Sequence, residues 1–138
     1  MAEEVLVIQR ALVAALLGGI IGLERELRGK PAGLRTHALV ATGAAVFATI
    51  FPPGTDQSSR VIANIVTGIG FIGAGAIFRA EGRVVGLTTA AEVWVLASIG
   101  ILSGLGLYLS ALSLTALVLL VLVPAQILER KLRGRSAQ

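Results

Sequence analysis

Cysteine is absent from this chain, which excludes disulfides, thiolate metal sites and cysteine nucleophiles together. Histidine occurs once, at His37, so one copy cannot build a multi-histidine metal site. Charge is scarce too: 14% of residues are charged and 55% are hydrophobic, with a mean hydropathy of +0.86. A soluble fold of 138 residues could not cover that much apolar surface with so few charges. The predicted class is an all-α polytopic membrane protein of one domain. The start, Met-Ala-Glu-Glu, lacks the basic n-region of a secretory signal, so the first apolar run is expected to remain as a helix. The net charge of +4 does not point to nucleic acid, because the basic residues sit in short loops beside apolar runs. Anionic lipid headgroups are the expected partner.

What the chain does have is five apolar runs, at about 5–23, 36–51, 61–78, 89–103 and 107–128. Crossing ~30 Å of hydrocarbon at ~1.5 Å per residue takes about 20 residues, so the second and fourth runs are short for a full span. Ten of the twelve basic residues fall in the first loop, the third loop and the tail, leaving Arg10 and Arg60 for the other side. By the positive-inside rule the N-terminus lies outside, and residues 129–138, with Arg130, Lys131, Arg133 and Arg135, form a cytoplasmic tail. Arg10 is read as snorkelling to the outer headgroups, and Asp56, after Pro52-Pro53-Gly54, as a solvated turn residue.

The stretch Gly68-Ile69-Gly70-Phe71-Ile72-Gly73-Ala74-Gly75 lies inside the third run. At about 100° per residue, Asn64, Gly68 and Gly75 share one face while Gly70, Gly73 and Ala74 share the opposite one. In lipid, small residues serve close helix contacts, so this helix is expected at the centre of the bundle. The same letters fit G-x-G-x-x-G with Glu92 downstream, but both flanks are lipid-grade apolar sequence with no amphipathic helix following. Gly18 and Gly22 belong to a second small-residue stripe in the first run. The Leu- and Val-rich fifth run lacks such a stripe and is expected to flank the bundle facing lipid.

An internal repeat appears at an offset of 53. Gly29, Lys30, Gly33, Leu34, Thr36, Ala38 and Val40 match Gly82, Arg83, Gly86, Leu87, Thr89, Ala91 and Val93, and Gly22 matches Gly75. Helices one and two (about 5–51) therefore read as a unit duplicated in helices three and four (about 61–103). The predicted relation is a pseudo-twofold axis along the membrane normal with the fifth helix appended, against chance similarity in low-complexity sequence.

In each unit the glycines allow a sharp turn, and Thr36 and Thr89 are placed to cap the next helix. Thr89-Ala90-Ala91-Glu92 has capping-box spacing, the reading preferred for Glu92 over an ion or proton site. Glu24, Arg25, Arg28, Arg35, Arg79 and Glu92 are expected to form one charged layer at the cytoplasmic end, an ion or partner site or a set of orientation signals and ion pairs. Two helix N-termini beside these arginines also suit an anion such as a headgroup phosphate. His37 reads as a polar interface residue rather than a titrating switch. Gly29-Lys30 is not a P-loop, because no strand precedes it. With only neutral polar groups near the midplane, one copy makes a poor Mg²⁺ pathway.

At Gly19-Ile20-Ile21-Gly22-Leu23-Glu24-Arg25-Glu26, Pro31-Ala32-Gly33-Leu34-Arg35-Thr36, Val40-Ala41-Thr42-Gly43-Ala44-Ala45, the glycine stretch above and Gly86-Leu87-Thr88-Thr89-Ala90-Ala91, the chain resembles the MgtC/SapB membrane-protein family. The resemblance implies a bacterial inner-membrane, multi-pass protein linked to growth at low Mg²⁺ and to virulence. It implies regulation of another membrane protein, such as the ATP synthase through its membrane sector; self-association is expected as well, and enzyme activity is not, since no nucleophile, base and orienting group can be assembled from these residues. A Mg²⁺ or other ion transporter is the alternative, with Mg²⁺ as ligand or cargo. Many relatives add a cytoplasmic C-terminal domain, and this chain is expected to be a short form without it. Relatives commonly carry an uncharged residue at the position of Glu92.

Overall fold

The computed structural model describes the backbone of residues 1–80 and 82–135, and the side chains of 1–80 and 82–124. Five helices form: α1 (Ala2–Leu27), α2 (Leu34–Thr49), α3 (Asp56–Gly75), α4 (Leu87–Gly104) and α5 (Tyr108–Arg135). A small antiparallel hairpin, β1 (Phe78–Ala80) with β2 (Arg83–Val85), joins α3 to α4. Helix α1 carries acidic Glu3 and Glu4 in its first turn and Arg25 in its last, each complementing the helix dipole. Thr55 starts α3 by accepting the Ser58 N–H at 3.2 Å. Helix α5 continues past Pro124 to Arg135, so the basic residues expected in a tail extend the helix; their side chains lie outside the described residues.

The middle of the bundle is α4, not the glycine-rich α3. Ten of its residues are buried, and it packs on all four other helices. On α3 only Ser58, Ile69 and Gly73 are buried, and a Cβ added at Gly68, Gly70 or Gly75 would meet nothing within 4 Å. Asn64 is exposed as well. The glycines that close an interface lie on α1 and α4 instead. A Cβ at Gly18 would come within 2.7 Å of the His37 carbonyl oxygen, and one at Gly22 within 2.7 Å of Leu34 Cα. On α4, Gly100 and Gly104 lie equally hard against the Ala41 and Ala45 carbonyls. Helix α2 is thus held between α1 and α4 through its alanines, Ala41, Ala44, Ala45 and Ala48, all buried.

Two local expectations change. The helices begin at Leu34 and Leu87 with Gly33 and Gly86 as N-caps, so Thr36 and Thr89 sit inside the first turn rather than capping it. Gly86 holds φ +88, and any Cβ there would collide with the Ala76 carbonyl, so only glycine fits this start. At α2 the capping oxygen comes from Glu26, whose Oε2 accepts the Leu34 N–H at 2.9 Å. Arg10 does not reach outward: it is half-buried and donates through Nη1 to the Gly104 carbonyl at 2.6 Å, where Thr49 also donates at 3.1 Å.

Among the described residues two helices, Ala2–Leu27 and Leu87–Gly104, are long and apolar enough to cross a membrane, and Tyr108–Pro124 is a shorter apolar stretch.

Candidate functional site: a buried ion pair between α1, α2 and α4

Where α1 ends and α2 and α4 begin, four polar side chains are packed out of solvent. Arg25 is brought there by the last turn of α1, on the same face as Gly18 and Gly22. Thr89 and Glu92, one turn apart on α4, face it. Arg25 Nε lies 2.7 Å from Glu92 Oε2, and Arg25 Nη2 donates to Thr89 Oγ1 at 3.5 Å. The two ionic side chains are only 2% and 5% exposed, so each depends on the other for its charge to be tolerated. His37, fully buried on α2, donates from Nδ1 to the Gly33 carbonyl at 3.0 Å, which turns Nε2 toward Glu92 Oε2 at 3.9 Å. The close approach allowed by Gly18 and Gly22 sets the depth of His37, because a side chain at either would strike its backbone or Cβ.

Glu24 pairs with Arg28 one turn on along α1. The layer expected from the sequence is therefore two separate pairs. Arg35 and Arg79 are exposed and stand outside both, as are Lys30, Arg83 and Thr88 among the loop positions. Gly29 and Gly82 hold φ +63 and +76 as turn residues. Glu92 is not a cap: it lies in the second turn of α4 and is committed to Arg25 across the interface. Sequence reasoning missed the Glu26 cap, which reaches back over the α1–α2 loop from the preceding helix, and the Arg10 clamp, whose partner lies 94 positions on.

Chemically the arrangement is charge-balanced and closed. Glu92 Oε2 and His37 Nε2 face each other across 3.9 Å, beyond hydrogen-bond reach, so the carboxylate is held by Arg25 rather than by the ring. No three His, Asp or Glu side chains converge for a metal ion among the described residues.

A model of the MgtC family matches residues 11–131, most of the chain. The chain belongs to the MgtC family. Protein MgtC of Salmonella typhimurium strain LT2 is 52% identical over 109 residues, covering 78% of this chain and 47% of that protein. Protein MgtC of Brucella abortus is 48% identical over 110 residues, 78% of this chain and 46% of that protein. YhiD of Escherichia coli K12, whose name proposes magnesium transport, is 44% identical over 123 residues, 82% of this chain and 57% of that protein. The chain thus spans about half the length of the curated relatives it matches. No solved structure matches it. For an MgtC-family chain with two spanning-grade helices, a membrane location follows.

Proposed function

We propose that this MgtC-family chain is a non-enzymatic, multi-pass protein of the bacterial inner membrane that adapts the cell to low Mg²⁺ by binding another membrane protein, the membrane sector of the ATP synthase being the leading candidate. The observation that carries the reading is the outward face of α3. Ala63, Thr67, Gly70 and Ala74 recur there at four-, three- and four-residue spacing, all exposed. In lipid such a seam gains nothing from the solvent and is suited to a second helix backbone at close range. The paired charges agree with it, since Glu92 and Glu24 are already paired with Arg25 of α1 and with Arg28 just beyond its end.

The test is recovery of the ATP synthase from membranes with the tagged chain. Gly70→Leu should abolish recovery without loss of insertion, because a Cβ there meets nothing within the molecule. Unchanged recovery would end the reading. The second reading, transport of Mg²⁺ or another ion, is favoured by the name of the YhiD relative. Saturable Mg²⁺ flux in proteoliposomes that Glu24→Gln reduces would put transport first, with the charged end as its mouth.

A further inference from the structure

A cavity of about 620 Å³ opens between α2 and α3, walled almost wholly by apolar side chains. Leu39, Gly43 and Phe47 supply the α2 wall, and Gly68 and Ile72 the α3 wall. Helix α2 makes only slight contact with α3, whereas α1 packs closely on α4.

The sequence repeat says what this cleft corresponds to. At its offset of 53, Leu39 and Gly43 match Glu92, which meets Arg25 of α1, and Leu96, which shares a cluster with Leu17, while Phe47 matches Gly100, which lies against α2. On the other wall the stations of α1 and α3 are given by their contacts. Gly18 backs onto His37, and Gly73 backs onto Ala90, the residue matched to His37. With Gly73 at the station of Gly18, two residues away from the register in which Gly22 matches Gly75, Ala14 falls on Ile69, both buried, and Leu16 falls on Phe71, both exposed. Gly68 and Ile72 then stand where α1 carries Val13 and Leu17. The α2/α3 cleft is the counterpart of the α1/α4 cleft.

In the α1/α4 cleft sits α5. Leu17, Leu96 and Ile99 form one apolar cluster with Ala111 and Leu122 of α5, and Val13 packs against it. The geometry points to the α2/α3 cleft as a second seat for an α5 helix, occupied by the outward face of α5 from another copy of this chain. That face, opposite buried Ala111 and Leu122, is available: Leu109 is 78%, Leu117 56% and Leu120 67% exposed. It presents large side chains to a groove floored by Gly43 and Gly68, the knob-and-hole match that drives helix association where no hydrophobic effect operates. A second copy inserts in the same orientation, and an axis along the membrane normal preserves helix direction, so its α5 arrives running the way this seat requires. The contact joins two different faces and so builds a closed ring or an open row rather than a face-to-face pair. The inference stands apart from the ATP synthase reading, which uses the opposite face of α3.

The absence of cysteine makes the test clean. A copy carrying Ile72→Cys is co-expressed with a differently tagged copy carrying Leu120→Cys, and a Val61→Cys copy with a Leu109→Cys copy for the other end of the cleft; the native membranes are then oxidised. The expected result is a mixed disulfide dimer in the co-expressed membranes and none from any single variant. Adding Gly68→Leu to the Ile72→Cys copy should remove the dimer while the copy stays inserted, since a Cβ at Gly68 has open space around it. The proposal is overturned if inserted copies give no mixed dimer from either pair, or if groove cysteines cross-link to one another. It is equally overturned if the dimer survives Gly68→Leu, or if a phospholipid with a photoreactive acyl chain labels Ile72→Cys membranes in place of dimer formation.

Discussion

At the scale of single residues, the fold concentrates its risk in Arg25 and Glu92. Two charges at 2.7 Å, nearly out of solvent, make a poor source of net stability but a severe liability when one is removed. Glu92→Ala should cost about 3–5 kcal/mol, the range for breaking a buried pair. Combining Arg25→Met with Glu92→Leu should return the protein to wild-type stability or above it. Unfolding in mixed micelles followed by helical circular dichroism reads both; a double variant as weak as Glu92→Ala alone would show that the polar cluster, not its charge balance, holds this end together. In the sequence these two residues were legible as members of one layer, yet their pairing was not. Thr89-x-x-Glu92 offers a local partner at capping spacing, and a local contact looks cheaper than one across 67 positions. What decides against the cap is the left-handed backbone of Gly86, which starts α4 one turn earlier.

At the scale of elements, the glycines divide into those that touch a neighbour and those that do not. Gly100→Leu must drive a side chain into the Ala41 carbonyl and the Ala44 methyl, prying α4 from α2. At Gly43 on α2 an added Cβ meets nothing within 4 Å, and Gly43→Leu has the α2/α3 cavity to enter. The first should lower stability by at least the ~1–3 kcal/mol typical of overpacking, and the second should leave it unchanged or slightly raised by the gain in helix propensity. The same unfolding assay separates them, and equal effects would refute the α2/α4 seam. Five helices and their order could be read from the apolar runs, but the centre of the bundle could not. Glycine content says that some backbone approaches closely without saying whose, and α3 is richer in glycine than α4 yet buries less. The hairpin between them also escaped, because three-residue strands at Phe78–Ala80 and Arg83–Val85 carry too little alternation to stand out beside a helix.

At the scale of the whole molecule, the positive-inside reading makes a prediction for intact cells. Ser59→Cys, exposed at the start of α3, should react with a membrane-impermeant maleimide from outside, while Arg83→Cys in the hairpin should react only after lysis. The reverse pattern would invert the orientation. Order of synthesis gives the Gly104 carbonyl a further meaning. This one oxygen receives Arg10 from α1 and Thr49 from α2, and it is made some ninety residues after the arginine. Until then the nascent chain carries Arg10 without this acceptor, and completing α4 supplies it to a side chain that stays half-buried. A chain stopped before α4 therefore lacks the bond that ties the first helix to the fourth.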